Sequence, residues 1–348
     1  MQQLTNKHLN NANILVTGGA GFIGSNLCEY FLKYDNKVTC LDNLSTGFEA
    51  NITPFFDHPS FCFIKGDIRD IETCRNAVKG VDYVFHQAAL GSVTRSIEDP
   101  ATTNDVNISG FLKMLIASRD AKVNRFIYAA SSSTYGDSKK LPKVEENIGK
   151  PLSPYAITKY VNELYADVFA KTYGLECIGL RYFNVFGRRQ NTDGAYAAVI
   201  PLWVKQMLNG ERPIINGDGS FSRDFTYIDN VIQANEKAAI TPTDTIRELA
   251  LLHNIDLHEK NAINLVFNIA YGGNTTLNKL FAVLKKHLSK FNSKISEIEP
   301  VYGIERAGDI PHSQASILKA QSILNYQPEY DANQGFEAAC KWYWEHLK

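Results

Sequence analysis

The chain has 348 residues, of which 44% are hydrophobic and 21% are charged, and its formal net charge is −1 at neutral pH. This near balance of charge, without a long basic run, argues against nucleic acid or an anionic membrane surface as a partner. The length exceeds that of a usual single hydrophobic core, so we expect two lobes or one large domain with a cap.

The N-terminal segment and the cysteines predict a cytoplasmic protein. The first stretch, MQQLTNKHLNNAN, is too polar for the apolar region of a signal peptide, and no run of about 18 apolar residues follows. The six cysteines are scattered, without a C-x-x-C pair and without histidines at metal-ligand spacing. We therefore expect reduced thiols, no membrane span and no bound metal.

In chain order, six apolar runs predict strands, and helical segments separate them. The first run, NILVTGG, ends in glycines and is followed by the helical NLCEYFLKYD. The later runs are KVTCLDN, CFIKGD, VDYVFHQAA, RFIYAASSS and ECIGLRYFNVFG, and the long helix SPYAITKYVNELYADVFAKTYG ends at Gly174. Strands that alternate with helices indicate βαβ units and a parallel sheet covered on both faces.

After Gly187 the pattern changes, which predicts a second, smaller lobe. IPLWVKQMLNG reads as a helix, RPIINGDGSFSRDFTYI as short strands around a turn, and DNVIQANEKAAI as a helix capped by Asp229. The segment 241–261 is the least regular and could be an inserted helix. We expect residues 1–186 to form a cofactor-binding domain, to which parts of 225–272 return, and residues 187–348 to form mainly a substrate-binding α/β lobe.

The loop between the first strand and the first helix, VTGGAGFIGSN, predicts a dinucleotide site. Gly18, Gly21 and Gly24 would allow a tight turn and let a pyrophosphate approach the backbone at the helix N-terminus. Asp42 ends the second strand, where an acid accepts hydrogen bonds from an adenosine ribose and repels a 2′-phosphate, so NAD is favoured over NADP. The alternative is a tight turn that only packs a helix. The sheet is accordingly expected to be a Rossmann-type, doubly wound one.

Other strand ends fit the same cofactor. Asp67 follows the third strand and could reach the adenine edge, although each such residue alone also fits an ordinary turn. The remaining residues that we assign to the cofactor are Phe22, Ile23, Asn43, Ile68, Gln87, Ala88, Ala89 and Tyr182.

Tyr155 and Lys159 share one helix face and form a candidate proton-transfer pair. A phenol with a pKa near 10 is a poor base, and lowering this pKa by about three units requires roughly 4 kcal/mol. The Lys159 ammonium and a positively charged nicotinamide could supply that together. Asn107 could fix Lys159 through a water molecule. The alternatives are a tyrosine packed over a lysine stem and an ordinary polar residue of a helix.

These residues together resemble the extended short-chain dehydrogenase/reductase family. The resemblance rests on the three glycines, on Asp42, on Ser131 to Ser133 and on Tyr155-x-x-x-Lys159. SSSTYGD, LRYFNVFGRRQ, GDGSFSRDFTYIDNV and GDIPHSQA resemble the nucleotide-sugar 4-epimerases, especially those acting on N-acetylated UDP-hexoses and their uronates. The resemblance extends from about Asn13 to the C-terminus, and the chain departs from the family mainly in the segment 241–261.

The resemblance implies a reaction in which Tyr155 takes the proton from the C4 hydroxyl while a hydride passes to NAD. Ser131 or Ser132 would shuttle the proton, and return of the hydride to the opposite face would invert C4. A 4,6-dehydratase would carry adjacent acids where this chain has Ser132 and Ser133, so elimination lacks its general acid. Decarboxylation of a uronate stays open.

The resemblance also implies where a UDP-sugar binds. Asn184 would contact a phosphate, and Arg188 and Arg189 would anchor their loop unless Arg189 or Arg95 meets a C6 carboxylate. Val199 and Asn216 would flank the uracil, Arg223 and Arg306 would clamp the diphosphate, and Asp309 would hold the ribose. The walls around the sugar would be Gly91, Ser92, Ser133, Gln190, Ala198 and Ser313.

We therefore expect an enzyme that converts UDP-N-acetylglucosamine to UDP-N-acetylgalactosamine for surface polysaccharide synthesis. The alternatives are a 4-epimerase of the corresponding uronate, a uronate decarboxylase or reductase, and a silent nucleotide sensor. By resemblance, the helix from about Thr102 to Arg119 and the Tyr155 helix would pair with their copies in a homodimer. Leu112, Leu164 and Val168 would point outward, although the same residues could face the sheet.

Overall fold

The computed structural model describes residues 8–192, 198–255, 257, 262–305 and 311–347. The strands of the first half are β1 (Asn13–Thr17), β2 (Lys37–Asp42), β3 (Phe61–Lys65), β4 (Tyr83–His86), β5 (Arg125–Ser131) and β6 (Cys177–Tyr182). The later strands are β7 (Val185–Phe186), β8 (Ile214–Asn216), β9 (Ser222–Arg223), β10 (Thr226–Tyr227), β11 (Asn264–Ile269), β12 (Thr275–Thr276), β13 (Val301–Gly303) and β14 (His312–Ser313).

Helices connect these strands. They are α1 (Phe22–Leu32), α2 (Ile71–Ala77), α3 (Val93–Glu98), α4 (Pro100–Asn104), α5 (Phe111–Asp120), α6 (Pro154–Tyr173), α7 (Val199–Leu208), α8 (Ile228–Ile240), α9 (Thr243–Leu252), α10 (Leu277–Ser289), α11 (Leu318–Leu324) and α12 (Ala332–His346). A π-helical turn, Asp105–Gly110, precedes α5, and a 3₁₀ turn, Ser132–Tyr135, follows β5. Within the described residues, no helix combines the length and the apolarity needed to cross a bilayer.

The central sheet has seven strands in the order β11-β6-β5-β4-β1-β2-β3. Every neighbouring pair is parallel, which confirms the predicted Rossmann-type α/β fold. The strand order reverses between β1 and β4, and in such sheets ligands bind in the crevice at the carboxyl ends of the strands beside this reversal. Residues 264–269 form the outermost strand of this sheet, although they lie well beyond Gly187 in the chain.

Both faces of the sheet are covered because side chains alternate along each strand. Val16, Phe85 and Ile127 pack on the face that also holds α1 and α8. Leu15 and Val84 are their sequence neighbours, and they pack on the opposite face with α5. The sheet therefore separates two apolar layers, and its carboxyl edge is left to carry polar groups.

Two local predictions are wrong. The sixth apolar run is not one strand, because Asn184 between β6 and β7 has a φ of 37°, and such a left-handed residue ends an extended segment. The residue before α8 is Tyr227, and it offers no side-chain cap. Asp229 lies instead in the first turn of α8, where it accepts a hydrogen bond of 2.6 Å from Arg188. The segment after residue 241 does contain a helix, α9.

Helix α6 carries the Tyr155/Lys159 pair and is fixed at both ends and in its middle. The Ser153 hydroxyl accepts from the Ala156 N–H at 3.1 Å, and Gly174 ends the helix with a φ of 73°. Glu163 receives two hydrogen bonds from Arg181 of β6, at 2.9 and 2.8 Å, and both side chains are buried. This buried ion pair fastens α6 to the sheet.

We expect Glu163→Ala to lower the free energy of unfolding by about 3–5 kcal/mol, because it leaves the buried Arg181 charge without its partner. The matched control is Lys171→Ala, which removes the exposed pair with Asp167 on the same helix and should change the free energy of unfolding by less than about 1 kcal/mol. Urea unfolding followed by circular dichroism measures both. Equal losses would show that the buried pair does not fasten the helix.

Candidate active site

A cleft of about 980 Å³ lies along the carboxyl edge of the central sheet. All residues assigned to the cofactor line it except Asn107, as do Ser131 and Ser132. Of the residues assigned to the substrate, Gly91, Ser92, Arg95, Ser133, Asn184, Gln190 and Ala198 line the cleft. Val199, Asn216, Arg223 and Ser313 do not, and Arg306 and Asp309 lie outside the described residues. The binding roles themselves stay predictions.

The glycine turn is closed so tightly that two of its positions exclude a side chain. Gly18 has a φ of 66°, and a Cβ there would lie 2.7 Å from the Ala88 nitrogen. A Cβ at Gly24 would overlap the carbonyl oxygen of Gly18 and lie 2.8 Å from the Gly19 Cα. Gly21 caps α1 without any side-chain hydrogen bond. This backbone cradle at a helix N-terminus suits a diphosphate.

Asp42 lies beside this turn at the end of β2. Its carboxylate accepts from the Ala20 N–H at 3.0 Å and from the Leu44 N–H at 2.8 Å. Burial raises the pKa of Asp42, and these two backbone bonds oppose the rise. An acid held in this way suits a ribose diol.

A second acid on the cleft wall is Asp67, which follows β3. Hydrogen bonds from Arg69 lower the pKa of Asp67 to about 2, and Asn43 donates to the same carboxylate at 2.8 Å. The neighbouring segment 44–48 also lines the cleft, and sequence reasoning missed it. The available signal was the polar run NLSTG directly after Asp42, which reads as a loop.

Lys159 is 3% exposed and donates from Nζ to the Ala129 carbonyl at 2.8 Å. Its Nζ lies 5.9 Å from the centre of the Tyr155 ring. Burial lowers the pKa of Lys159 to about 8, although the Glu163 charge acts in the opposite direction. The lysine can therefore lose its proton near the upper end of the physiological range.

The pKa of Tyr155 is raised because burial disfavours the phenolate, and a hydrogen bond with Ser131 partly offsets this. A lowered pKa of Tyr155 depends on the positively charged nicotinamide as well as on Lys159, so it stays a prediction for the protein with its cofactor. The Ser131 hydroxyl also accepts from the Ser133 N–H at 3.1 Å, which fixes the 3₁₀ turn. Ser131 and Tyr155 both line the cleft.

The Asn107 side chain makes three direct hydrogen bonds. It accepts from the Leu90 N–H at 2.8 Å and donates to the Leu90 carbonyl and to the Thr158 hydroxyl. It therefore clamps the loop after β4 to α6, one residue before Lys159. The π-helical turn Asp105–Gly110 carries this amide, and a link from Asn107 to Lys159 through water stays a prediction.

The two arginines of the GRRQ sequence anchor their loop. Arg188 is paired with Asp229 at 2.6 Å, and Arg189 is paired with Glu29 of α1 at 3.1 Å. Neither residue lines the cleft. The expectation that Arg189 could meet a C6 carboxylate is not supported, because its charge is already paired with Glu29.

Sequence reasoning also missed Asp224, which lies next to Arg223. Its fully buried carboxylate accepts from the N–H groups of Gly272 and Ala315 at 3.2 Å and of Gly273 at 3.3 Å. Burial raises the pKa of Asp224 to about 7. Asp224 thus joins β9 to two distant loops, and sequence offered no signal beyond an acid within SRDFTYID.

The cleft fits an adenine dinucleotide on the observations above. It offers a glycine cradle that a Cβ would fill, an acid at the end of β2 and a polar adenine end. Among the residues that the structure describes, no group of three or more His, Cys, Asp and Glu side chains is placed to hold a metal ion.

Comparison with known proteins agrees with this geometry. The model of the NAD dependent epimerase/dehydratase family matches residues 14–248. A UDP-N-acetylglucosamine 4-epimerase from Methanobrevibacter ruminantium, solved with UDP-N-acetylmuramic acid, is 37% identical with a TM-score of 0.85, over 97% of this chain and 99% of that one.

Two further similar structures are of enzymes named for other sugars. A UDP-glucose 4-epimerase from Thermotoga maritima, solved with UDP-glucose, is 35% identical with a TM-score of 0.82, over 97% of this chain and all (100%) of that one. A UDP-glucuronic acid 4-epimerase from Bacillus cereus, solved with UDP-glucuronic acid and NAD, is 30% identical with a TM-score of 0.80, over 96% of this chain and 99% of that one.

We expect Gly24→Ala to lower the free energy of unfolding by about 1–3 kcal/mol through overpacking and to remove most of the NAD that copurifies with the protein. Gly91→Ala is the control, because a Cβ at Gly91 would meet nothing within 4 Å. Thermal melts and chromatography of the nucleotide released on denaturation measure both effects. Full NAD content in Gly24→Ala would place the cofactor elsewhere.

Proposed function

This chain belongs to the NAD-dependent epimerase/dehydratase family, and we propose that it inverts C4 of a UDP-N-acetylhexosamine. The reaction would interconvert UDP-N-acetylglucosamine and UDP-N-acetylgalactosamine through a 4-keto sugar, and the product would serve surface polysaccharide synthesis. The competing substrate is the corresponding uronate, because Arg95 lines the cleft and one of the similar structures is a UDP-glucuronic acid 4-epimerase.

In the proposed mechanism, Tyr155 takes the proton of the C4 hydroxyl and later returns it. Ser131, which ends β5 on the cleft wall, holds the C4 oxygen and orients the phenol. Bound NAD would supply the acceptor for the C4 hydride and positive charge that favours the phenolate. The buried Lys159, held by the Ala129 carbonyl, adds positive charge that favours the phenolate.

Ser132 and Ser133 explain why the 4-keto sugar is not dehydrated. Both follow Ser131 on the cleft wall, and neither hydroxyl is acidic enough to protonate a leaving hydroxide at neutral pH. With no general acid at these two positions, the simplest outcome is rotation of the sugar and return of the hydride to the other face.

The choice of sugar rests on the small side chains that line the cleft. Gly91, Ser133 and Ala198 line the cleft together with Gln190, so an acetamido group has room in both orientations of the sugar. Gln190 is held in place, because its amide donates to the Val185 carbonyl at 3.1 Å. Because Arg189 is paired with Glu29, the cleft has one cation fewer to bind the C6 carboxylate of a uronate. This favours the sugar without a C6 carboxylate.

We also propose a homodimer in which α6 packs against its copy. Ile157, Leu164 and Val168 are about half exposed, at 50%, 49% and 50%, and follow one another at helical spacing along α6. Leu112 is only partly exposed and also packs against the core beneath α5. Its place in the interface therefore stays a prediction.

The test of the proposed function is a comparison of UDP-N-acetylglucosamine, UDP-glucose and the UDP-N-acetylglucosamine uronate by proton NMR. We expect the acetylated sugar to exceed UDP-glucose by at least about tenfold in kcat/KM, as about 1.4 kcal/mol of lost pairing would give. Ser133→Lys should harm the acetylated sugar most. Equal kcat/KM for UDP-N-acetylglucosamine and UDP-glucose would contradict the proposal that small lining side chains select the acetylated sugar. A strong preference for the uronate would identify the enzyme as a uronate 4-epimerase instead.

We expect Tyr155→Phe to lower kcat by about 10²–10⁴-fold, because it removes only the proton-transfer oxygen. Bound NAD and the melting temperature should stay near wild-type values. Ser131→Ala should cost less, because Ser132 stands beside it. A near wild-type rate in Tyr155→Phe would remove the phenol from the mechanism.

We expect Leu164→Glu combined with Val168→Lys to convert the dimer to a monomer, because charges would replace the apolar centre of the interface. Multi-angle light scattering at micromolar concentration measures the mass. Leu251→Glu is the control, since Leu251 is also exposed but lies on α9. A wild-type monomer would reject the dimer.

A further inference from the structure

A fully buried asparagine on α8, Asn235, connects the ends of two strands of the cleft. Its Nδ2 donates to the Val231 carbonyl at 2.8 Å and to the Tyr182 hydroxyl at 2.9 Å. Its Oδ1 accepts from Gln87 Nε2 at 3.4 Å. Tyr182 ends β6 and Gln87 follows β4, and both line the cleft, whereas Asn235 does not.

The polarity of this chain of hydrogen bonds is fixed at its inner end. A backbone carbonyl can only accept, so Val231 forces the Asn235 amide to present Nδ2 on that side. Oδ1 then faces Gln87, and because Oδ1 also only accepts, Gln87 must present Nε2 to it. The orientation of the Gln87 amide is therefore determined by Asn235, and its Oε1 is the atom left over.

Gln87 Oε1 is buried and has no hydrogen-bond partner among the described residues. A buried acceptor without a partner is costly, and such groups usually have a function or meet a ligand. Since Gln87 lies on the wall of a cleft that fits a dinucleotide, a bound cofactor is the group that can supply the missing donor.

The sheet order shows which part of the cofactor lies here. The acid for the ribose ends β2, the glycine turn follows β1, and Gln87 follows β4, the next strand on the other side of β1. A dinucleotide whose pyrophosphate lies on the turn therefore reaches Gln87 with its nicotinamide half. The Gln87 backbone lies against this turn, because its N–H donates to the Thr17 carbonyl at 3.1 Å.

We propose that Gln87 Oε1 accepts a hydrogen bond from the carboxamide N–H of the bound nicotinamide. Asn235 is a positioning residue that holds the Gln87 amide in the orientation this bond requires. The bond would fix which face of the ring meets the sugar, because it fixes the carboxamide relative to β4. This inference rests on the NAD dependence of the family and is independent of which sugar the enzyme uses.

The test exchanges the bound cofactor of the full chain against analogues in equilibrium dialysis. ADP-ribose has no nicotinamide, and 3-acetylpyridine adenine dinucleotide replaces the carboxamide NH₂ by a methyl group that cannot donate. We expect the wild-type protein to prefer NAD over the acetyl analogue by about tenfold or more, as one lost hydrogen bond to a buried acceptor gives. Gln87→Leu and Asn235→Leu should bring this ratio close to one while their affinity for ADP-ribose stays unchanged.

Gln206→Leu is the matched control, because Gln206 also has a buried Oε1 without a partner but lies on α7 outside the cleft wall. It should keep the wild-type ratio. An unchanged ratio in Gln87→Leu would overturn the proposal, and so would an equal loss of ADP-ribose affinity, which indicates general damage to the cleft. If Asn235→Leu does not fold, the wild-type and Gln87→Leu ratios decide alone. A change confined to the KM of the sugar would assign Oε1 to the substrate instead.

Discussion

The parallel direction of all seven strands of the central sheet is the constraint on which the site depends. Because the strands run the same way, their carboxyl ends meet at one edge, and polar residues that follow different strands become neighbours. Gly18 after β1, Asp42 in β2, Gln87 after β4 and Ser131 in β5 are brought together in this way. Gly18 after β1 and Ala88 after β4 lie so close together that the gap between them has room for backbone alone.

Burial gives the groups at this edge their chemical character. Lys159 and Tyr155 are both moved toward their uncharged forms, so the protein alone does not produce a strong base. Charge has to be supplied when ligands fill the cleft, which connects proton transfer to occupancy of the site. The fixed partners of these residues, the Ala129 carbonyl and Ser131, restrict orientation without supplying a full opposite charge. The arrangement suits a reaction that must run in both directions.

The features that sequence predicts well are local in the chain. The glycine spacing, the acid after the second strand and the Tyr155/Lys159 spacing each lie within one turn, strand or helix, so their geometry follows from standard backbone dimensions. Both the parallel sheet and the cofactor could be predicted on this basis.

The break at Asn184 could not be predicted, because it follows from pairing of β7 with β10. The contacts of Asn107, Asp224 and Asn235 were missed because their partners are distant in sequence and ordinary polar residues carry no signal of such contacts. Arg223 and Ser313 lie off the cleft wall, and their positions depend on the pairing of β9 with β12 and β14, which sequence does not show.

The position of β11 has a consequence for synthesis of the chain on the ribosome. β6 is buried along its whole length, and its outer neighbour in the sheet is residues 264–269. When residues 1–186 have emerged, β6 is still an open edge with unpaired backbone groups, and the strand that covers it has not been made. At about 5–20 residues per second, roughly four seconds or more pass before that strand emerges. During this interval the nascent protein exposes an apolar strand edge that can pair with other chains. The central sheet is therefore complete only after residues 264–269 have been made, and a fragment that ends at residue 187 would lack its outermost strand.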